Sequence, residues 1–289
     1  MDLLINFIYS KIIKYNFFIV EIVKYNIKKK KLYDLLKIKK PLISILLPTF
    51  NRSRILKERA VRSVLSQSYK NYELIIIDDG STDDTEETIN KIKDKRIKYI
   101  KIKRNNKRYP NTIENHWFVG PVVALNKGLD LVKGDWIARI DDDDIWTRNH
   151  LKDLLQHLKK KKKEFVSSDY LEIRNGKKKI VRPTLKDKNY GLGHIGGIQT
   201  WMYASYLSFF KYNINSWRKK MNRVNDTDMQ ERFMSVGIKI CYLNKVTCII
   251  KPRPNEKQIG IKAYLENEKK FLKKYNYNLA SFTKNSLLS

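Results

Sequence analysis

The sequence predicts an α/β fold with a mostly parallel central sheet flanked by helices. Three observations carry this expectation. From Pro41 onward, short apolar runs alternate with helix-like stretches, the pattern of strand–helix–strand units. Three of those runs end in turn-forming or acidic residues, at 48–51, 78–81 and 141–144. The chain has 289 residues and is 42% hydrophobic, enough for one large domain with a continuous core and peripheral appendages.

The first 40 residues stand apart. Lys11, Lys14, Glu21 and Lys24 interrupt the opening apolar stretch. No run therefore reaches the ~18 uncharged apolar residues that a spanning helix needs. No small-residue cleavage site follows, so a secretory signal is not expected. At about 100° per residue, Asn6, Ser10, Lys14, Glu21 and Lys24 share one narrow face. Residues 1–40 are expected to be a basic amphipathic helical segment. It either packs on the main domain or makes a peripheral membrane contact, aided by Lys28, Lys29, Lys30 and Lys31.

The next elements follow in order. ISILL (43–47), ELIII (73–77), KYIKI (98–102) and WIARI (136–140) are short apolar runs that read as strands. Helices are expected over 54–68, over 84–93 with Ser81 and Thr82 as caps, over 122–132 and over 148–163. A less regular half comes next, with strands near 164–168 and 170–173, a Gly-rich loop at 191–197 and a helix around 226–236. ICYL and VTCII, within 240–250, read as closing strands. The domain is expected to span 41–255, divided into 41–150 and 151–255, with 256–289 a basic helical tail.

Charge narrows the partners. There are 60 Lys and Arg against 30 Asp and Glu, a formal net charge of +30. The excess is spread along the whole chain, so most of it reads as background on solvated faces. Outside the termini, basic residues do not cluster with interleaved aromatics, and no nucleic-acid partner is expected. Two cysteines, Cys241 and Cys248, cannot build a disulfide framework or a four-ligand zinc site. They are expected in the core, and a reducing, cytoplasmic compartment is the default.

The acidic minority carries the chemistry. In an open parallel sheet, ligands bind outside the carboxyl ends of the strands, so the three clusters converge if their strands are neighbours. Asp141, Asp142, Asp143 and Asp144 repel one another unless a cation is present. Hard oxygen ligands of this kind suit Mg²⁺ or Mn²⁺, although a solvated turn capping the next helix would look the same. Gly80 permits a tight turn, and an aspartate beside it can accept hydrogen bonds from a base or ribose edge. In the loop at 191–197, glycines allow close backbone approach. Trp201 offers a ring for a sugar face, and His194 is within the same reach or structural.

These motifs, in order, carry a resemblance. ISILLPTFNR, SVLSQSYKNYELIIIDDGSTDDT and ALNKGLDLVKGDWIARIDDDDIW together resemble a family 2 glycosyltransferase of the GT-A type, with a Rossmann-like sheet. The resemblance is strong over 41–150, weaker over 151–255 and absent at both ends. It implies an inverting enzyme that moves a sugar from a nucleotide-sugar donor, a UDP-sugar above all, to a carbohydrate or glycoconjugate acceptor. By position, Pro48, Thr49, Phe50 and Asn51 look like the loop beside the base, and Asp79 like the residue that hydrogen-bonds it. Asp141 and Asp143 look like the two aspartates of a DxD motif, Asp143 on the metal and Asp141 at the ribose or metal shell. Asp142 and Asp144 are able to take part of this work. Asp226 looks like the general base, Asn225 replaces the family's preceding acid, and Asp228 is the second candidate, on the acceptor side. Either aspartate could instead serve only as a helix N-cap.

Three departures matter. Leu125 stands where the family often has Arg. Residues 106–119 look like an insertion, containing Arg108, Tyr109, His116 and Trp117. Arg253 or Lys251 stands where the family often has a His beside the diphosphate. Two readings from other classes compete: a catalytically silent nucleotide-sugar binder on the same fold, and a basic membrane- or nucleic-acid-binding module.

Overall fold

The computed structural model describes residues 14–105, 108, 109, 115, 119–174, 176–183, 195–216 and 225–251. Its core is a nine-stranded sheet, with strand order β3-β2-β1-β4-β8-β6-β9-β5 and β7 paired to β6. The first four strands are β1 (Ile43–Thr49), β2 (Tyr72–Asp78), β3 (Ile97–Lys101) and β4 (Trp136–Arg139). They are mutually parallel, with β1 seated between β2 and β4. Every residue of β1 is buried, and all of β2 except Glu73, because helices cover both faces. The short apolar runs of the sequence therefore mark the strands correctly.

The second half of the sheet departs from the sequence reading. β5 (Asp144–Trp146) and β8 (Met202–Ala204) are too short to stand out as periodic patterns. The exposed β7 (Lys177–Val181) is dominated by lysine. Two pairs of expected strands are each one long strand, β6 (Phe165–Arg174) and β9 (Ile240–Ile250). These two run parallel, with register shifts at Ser168/Asp169 and Asp169/Tyr170. The polar residues that suggested breaks sit at this irregularity. Cys241 and Cys248 are buried on β9, as expected, and burial pushes the Cys241 thiol up to about 12.

Before the sheet come α1 (Lys14–Lys28), a 3₁₀ turn (Lys29–Lys31) and α2 (Leu32–Lys37). α3 follows β1. It opens at Ser53–Leu56, passes through a π-helical turn at Lys57–Val61 and closes at Arg62–Leu65. Its far end latches the chain after β5: the Gln67 side chain donates to the Thr147 carbonyl at 2.8 Å and accepts from the Leu151 amide at 3.1 Å. α4 (Thr85–Asn90) starts later than expected. Asp83, not Ser81 or Thr82, accepts from the Thr85 amide. In α5 (Val122–Asp130) the backbone of Gly128 lies directly on the sheet, where an added Cβ would sit 2.8 Å from Ile77 Cδ1 and 3.0 Å from Leu46 Cδ2. On the same helix, the Asn126 side chain clamps the Tyr212 backbone with a 2.9 Å and a 2.7 Å bond. The Asn126-Lys127-Gly128 segment is thus explained by packing. Leu125 beside it is buried in the core.

α6 (His150–Lys161) covers β6 and β9, and His150 is its buried anchor. The imidazole stacks on Trp146 with centroids 4.0 Å apart, and its Nδ1 lies 2.8 Å from the Thr247 hydroxyl and 3.2 Å from the Thr247 carbonyl. The carbonyl can only accept, so Nδ1 carries the proton. Burial pushes this imidazole from 6.5 down to about 3. Because the folded-state value is depressed, its stabilisation is full above about 6.5 and is lost as pH falls toward 3. In denaturant titrations at pH 7 and pH 5, His150→Gln should lose about 2 kcal/mol less stability on acidification than the parent. Equal losses would show that His150 takes up its proton without unfolding.

Candidate active site

The sheet register creates the site. Thr49 on β1 pairs with Asp78 on β2, and Leu46 with Arg139 on β4, so three parallel strands release their chains at one edge. The three turn clusters therefore do converge. Their loops are stitched together: the Asp79 amide donates to the Thr49 carbonyl at 2.9 Å, and the Asn51 amide to Ser81 Oγ at 2.8 Å. Asn51 Oδ1 accepts from the Thr82 amide at 2.7 Å. Asn51 holds φ +51°, a left-handed conformation that asparagine tolerates better than most residues.

The two aspartates after β2 do different work. Asp78 builds the turn: its carboxylate accepts from the Ser81 amide at 2.7 Å and from the Tyr99 hydroxyl. Gly80 closes it with φ +81°, and an added Cβ would lie 2.9 Å from Arg104 Cβ, so both conformation and space require glycine. Asp79 is only 3% exposed, and its two oxygens meet the guanidinium groups of Arg104 and Arg108. Arg104 also lies over the Phe50 ring at 4.0 Å. Phe50, Asp79 and two arginines thus form one small cluster. A stacking plane beside a carboxylate acceptor is chemistry suited to a flat, hydrogen-bonding heterocycle.

The four aspartates after β4 are also differentiated. Asp141 accepts two bonds from Arg139, at 3.0 and 2.9 Å, and keeps its side chain 35% exposed. Asp142 is buried, held by Thr49 Oγ1 at 3.0 Å and Arg52 at 2.7 Å. Burial pushes the Asp142 carboxyl up to about 6, against the pull of Arg52 and with added repulsion from Asp143 and Asp141. Asp143 stands 3.7 Å from Arg52, and its carbonyl accepts from Arg59 at 3.2 Å. Asp144 opens β5, paired with Ile250. Among the described residues no group of three His, Cys, Asp or Glu is set to enclose a metal ion. The cluster offers hard carboxylate oxygens, and Mg²⁺ is often held by one or two carboxylates with phosphate oxygens and water completing the shell.

α7 (Asn225–Ser235) brings the remaining acids, with Asp226 and Asp228 in its first turn. Asp226 is half-buried and close enough to Arg139 and Tyr212 to act on both. Burial disfavours the Arg139 charge, yet Asp141, Tyr212 and Asp226 together hold that guanidinium more firmly protonated than usual. Arg139 therefore joins the aspartate cluster to the start of α7. Asp228 serves a different purpose. It is buried and paired with Arg232 at 3.0 Å, a contact that anchors α7.

Trp201 is a correction. It is 1% exposed, packs edge-on against Phe165 at 5.1 Å, and donates its indole N–H to the Gly196 carbonyl at 2.9 Å, so neither ring face is open to a sugar. His194 and Arg253 lie outside the described residues, as do His116 and Trp117. Lys251 contributes its carbonyl, which accepts from Arg59 at 3.1 Å. Sequence reasoning missed Arg52, Arg59, Arg104 and Arg139. Two had a signal: Arg139 interrupts an apolar strand, and Arg52 directly follows the Pro48–Asn51 loop.

Comparison with known proteins now bears on this geometry. A WfaP protein of Escherichia coli, described as a UDP-Glc:alpha-D-GlcNAc-diphosphoundecaprenol beta-1,3-glucosyltransferase, is 38% identical over 129 residues, covering 45% of this chain and 46% of that one. The chain thus matches about half the length of this relative. Among solved structures, S. aureus TarS 1-349 in complex with UDP-GlcNAc superposes with TM-score 0.57 at 19% identity, covering 74% of this chain and 59% of that one. The mannosyltransferase PcManGT from Pyrobaculum calidifontis, solved with GDP-Man and Mn2+, superposes with TM-score 0.51 at 13% identity, covering 82% and 67%. These likenesses place the fold among GT-A glycosyltransferases. The family model described as glycosyl transferase family 2 matches residues 44–218, well over half of the chain, and the chain belongs to that family.

Proposed function

We propose that this protein is an inverting glycosyltransferase that moves a sugar from a UDP-sugar to an acceptor hydroxyl, with Asp226 as general base. One observation carries the reading: Asp79 and the aspartates 141–144 follow neighbouring parallel strands at one sheet edge, and Arg139, paired with Asp141, also feels the charge of Asp226. The loop Pro48, Thr49, Phe50 and Asn51 flanks the base, and Asp79 accepts its hydrogen bond. Arg104 and Arg108 hold the Asp79 carboxylate in place. Asp141 faces the ribose side, and Asp143 is the metal ligand, with Asp142 behind it.

A divalent cation, Mn²⁺ or Mg²⁺, held at Asp143 with help from Asp141, would supply positive charge to the diphosphate. The chain's own residues do the rest. Asp226 takes the proton from the acceptor hydroxyl, and that oxygen forms a bond to the anomeric carbon. The bond from that carbon to the diphosphate oxygen breaks on the opposite face, and the nucleoside diphosphate leaves with the electron pair. Configuration inverts in this single displacement, so no carboxylate nucleophile is required. Arg139 and Arg52 keep the aspartates ordered and compensated. Arg253 and His194 stay candidates for the diphosphate and the acceptor. Asp228 stays a candidate on the acceptor side beside its pair with Arg232, and Trp201 does not, since the core encloses it.

The acceptor class we favour is a lipid-linked glycoconjugate, by analogy with the diphosphoundecaprenol named for the Escherichia coli relative. Residues 1–40 are then the segment that meets the membrane, from the cytoplasmic side. No helix among the described residues is long and apolar enough to cross one.

Two measurements test the reading. In a thermal-shift screen of nucleotide-sugars with and without Mn²⁺, one UDP-sugar should raise the midpoint selectively. Asp79→Ala should blunt the preference for uracil, and Asp143→Ala the response to Mn²⁺. No shift with any UDP-sugar would sink the donor assignment. In a transfer assay, Asp226→Asn should lower turnover by about 10²- to 10⁴-fold while keeping the donor shift. Full transfer by that variant would remove Asp226 from its role. Donor shift with neither transfer nor donor hydrolysis in the parent protein would favour a silent nucleotide-sugar binder.

A further inference from the structure

α1 is mounted the wrong way round for a helix that merely covers a domain. Two of its polar residues, Glu21 and Tyr25, face inward. Glu21 is buried and ion-paired with Arg232 of α7, and Tyr25 is buried with its hydroxyl donating to Glu164 at 2.9 Å. Four of its aliphatic residues face outward: Ile19 is 44% exposed, Val20 49%, Val23 52% and Ile27 61%. At 100° per residue these four fall within an arc of about 100°, opposite Glu21 and Tyr25. Among the described residues six large hydrophobic side chains are exposed, and five of them, these four and Tyr33, lie between positions 19 and 33. The seat is a specific one, since an ion pair and a tyrosine–carboxylate bond fix the rotation of the helix. A helix free to roll would bury its valines and isoleucines and leave Glu21 in water.

We propose that this outward face of α1 docks on a phospholipid surface bearing anionic headgroups, lying in the interface with Val20, Val23 and Ile27 at its centre. Charge selects the occupant. Lys24 flanks the apolar stripe, and Lys29, Lys30 and Lys31 follow it directly, all exposed. The nearby acid Glu21 is consumed in its buried pair. An aliphatic stripe bordered by lysines is the composition of an interfacial helix, in which apolar burial and attraction to anionic lipid act together. A second copy of the chain is the poorer partner. It would bring the same lysines and the same net charge of +30, and four aliphatic side chains are few for a stable dimer face of about 800 Å² per partner.

The inference deepens the membrane part of the reading above, and the docking face itself does not rest on the transferase chemistry. What rests on it is the consequence for the acceptor. Arg232, which seats α1 through Glu21, also binds Asp228 at 3.0 Å, two residues from Asp226 on the same helix. A docked α1 therefore holds the start of α7 at a set orientation to the bilayer, where a lipid-linked acceptor would arrive.

The test is sedimentation of the full chain with vesicles of phosphatidylcholine alone or mixed with phosphatidylglycerol. The parent should bind the anionic vesicles, more weakly at high salt. The variant Val20→Ser/Val23→Ser/Ile27→Ser, which alters only exposed positions and should keep its thermal midpoint, should bind about tenfold or more weakly. Asp226→Asn should bind like the parent, which separates failure of the docking face from failure of the transfer reading. No binding of the parent to anionic vesicles overturns the proposal, as does equal binding of the triple variant. A parent that is dimeric in solution, with a monomeric triple variant, would assign the face to a second copy and overturn it as well.

Discussion

Carboxylates crowd one edge of this sheet, and a buried carboxylate is costly unless a cation meets it. The rest of the site follows from how the chain meets that requirement. Asp79 is matched by Arg104 and Arg108, Asp142 by Arg52, and Asp141 by Arg139. The four guanidinium groups come from three places: the loop after β1, the segment after β3, which supplies two, and β4 itself. The pairs therefore bind the loops of the site to one another as well as compensating charge. Even with Arg52 beside it, burial pushes the Asp142 carboxyl up to about 6.

The helix after β1 shows how local irregularity serves the same end. A π turn at Lys57–Val61 interrupts α3. Such turns insert an extra residue and recur at functional sites. Within this one, Arg59 reaches both the Asp143 carbonyl and the Lys251 carbonyl at the end of β9. One turn on, Ser63 Oγ accepts from the Trp146 amide at 3.1 Å. The strand that begins with Asp144 is thus pinned from above by α3 and from the side by β9. The aspartate run is held in a fixed path, which four flexible, mutually repelling residues would not keep unaided.

Arg232 plays the parallel part at the other end of the site. It joins Glu21 on α1, Asp228 on α7 and the Lys211 carbonyl. Through it the N-terminal helix becomes part of the wall that carries Asp226, although the two lie some two hundred positions apart in the chain. A packed helix does not exclude the proposed membrane contact, since the polar seat leaves an apolar face outward on the same element.

Much of this was legible in the chain because its signals are local. The buried strands announce themselves as apolar runs. The turns after them announce themselves as Pro48–Asn51, Asp78–Ser81 and the aspartate run, and their order marks the family. Helix α7 was placed from the aspartates at its start. The sequence by itself could not divide labour within a run of identical residues. Asp141 and Asp142 differ only in which way the strand end turns them, toward Arg139 or toward Thr49 and Arg52. Nor could it tell that Trp201 is enclosed by Phe165 and Gly196, that Asp228 belongs to Arg232, or that Glu21 faces inward. Those outcomes depend on contacts between residues far apart in sequence, and burial and ion pairing are decided only when the elements close on one another. Composition and local pattern determined which groups are present and which strand ends they occupy. The tertiary structure decided which guanidinium meets which carboxylate, because only the folded chain brings residues far apart in sequence into contact.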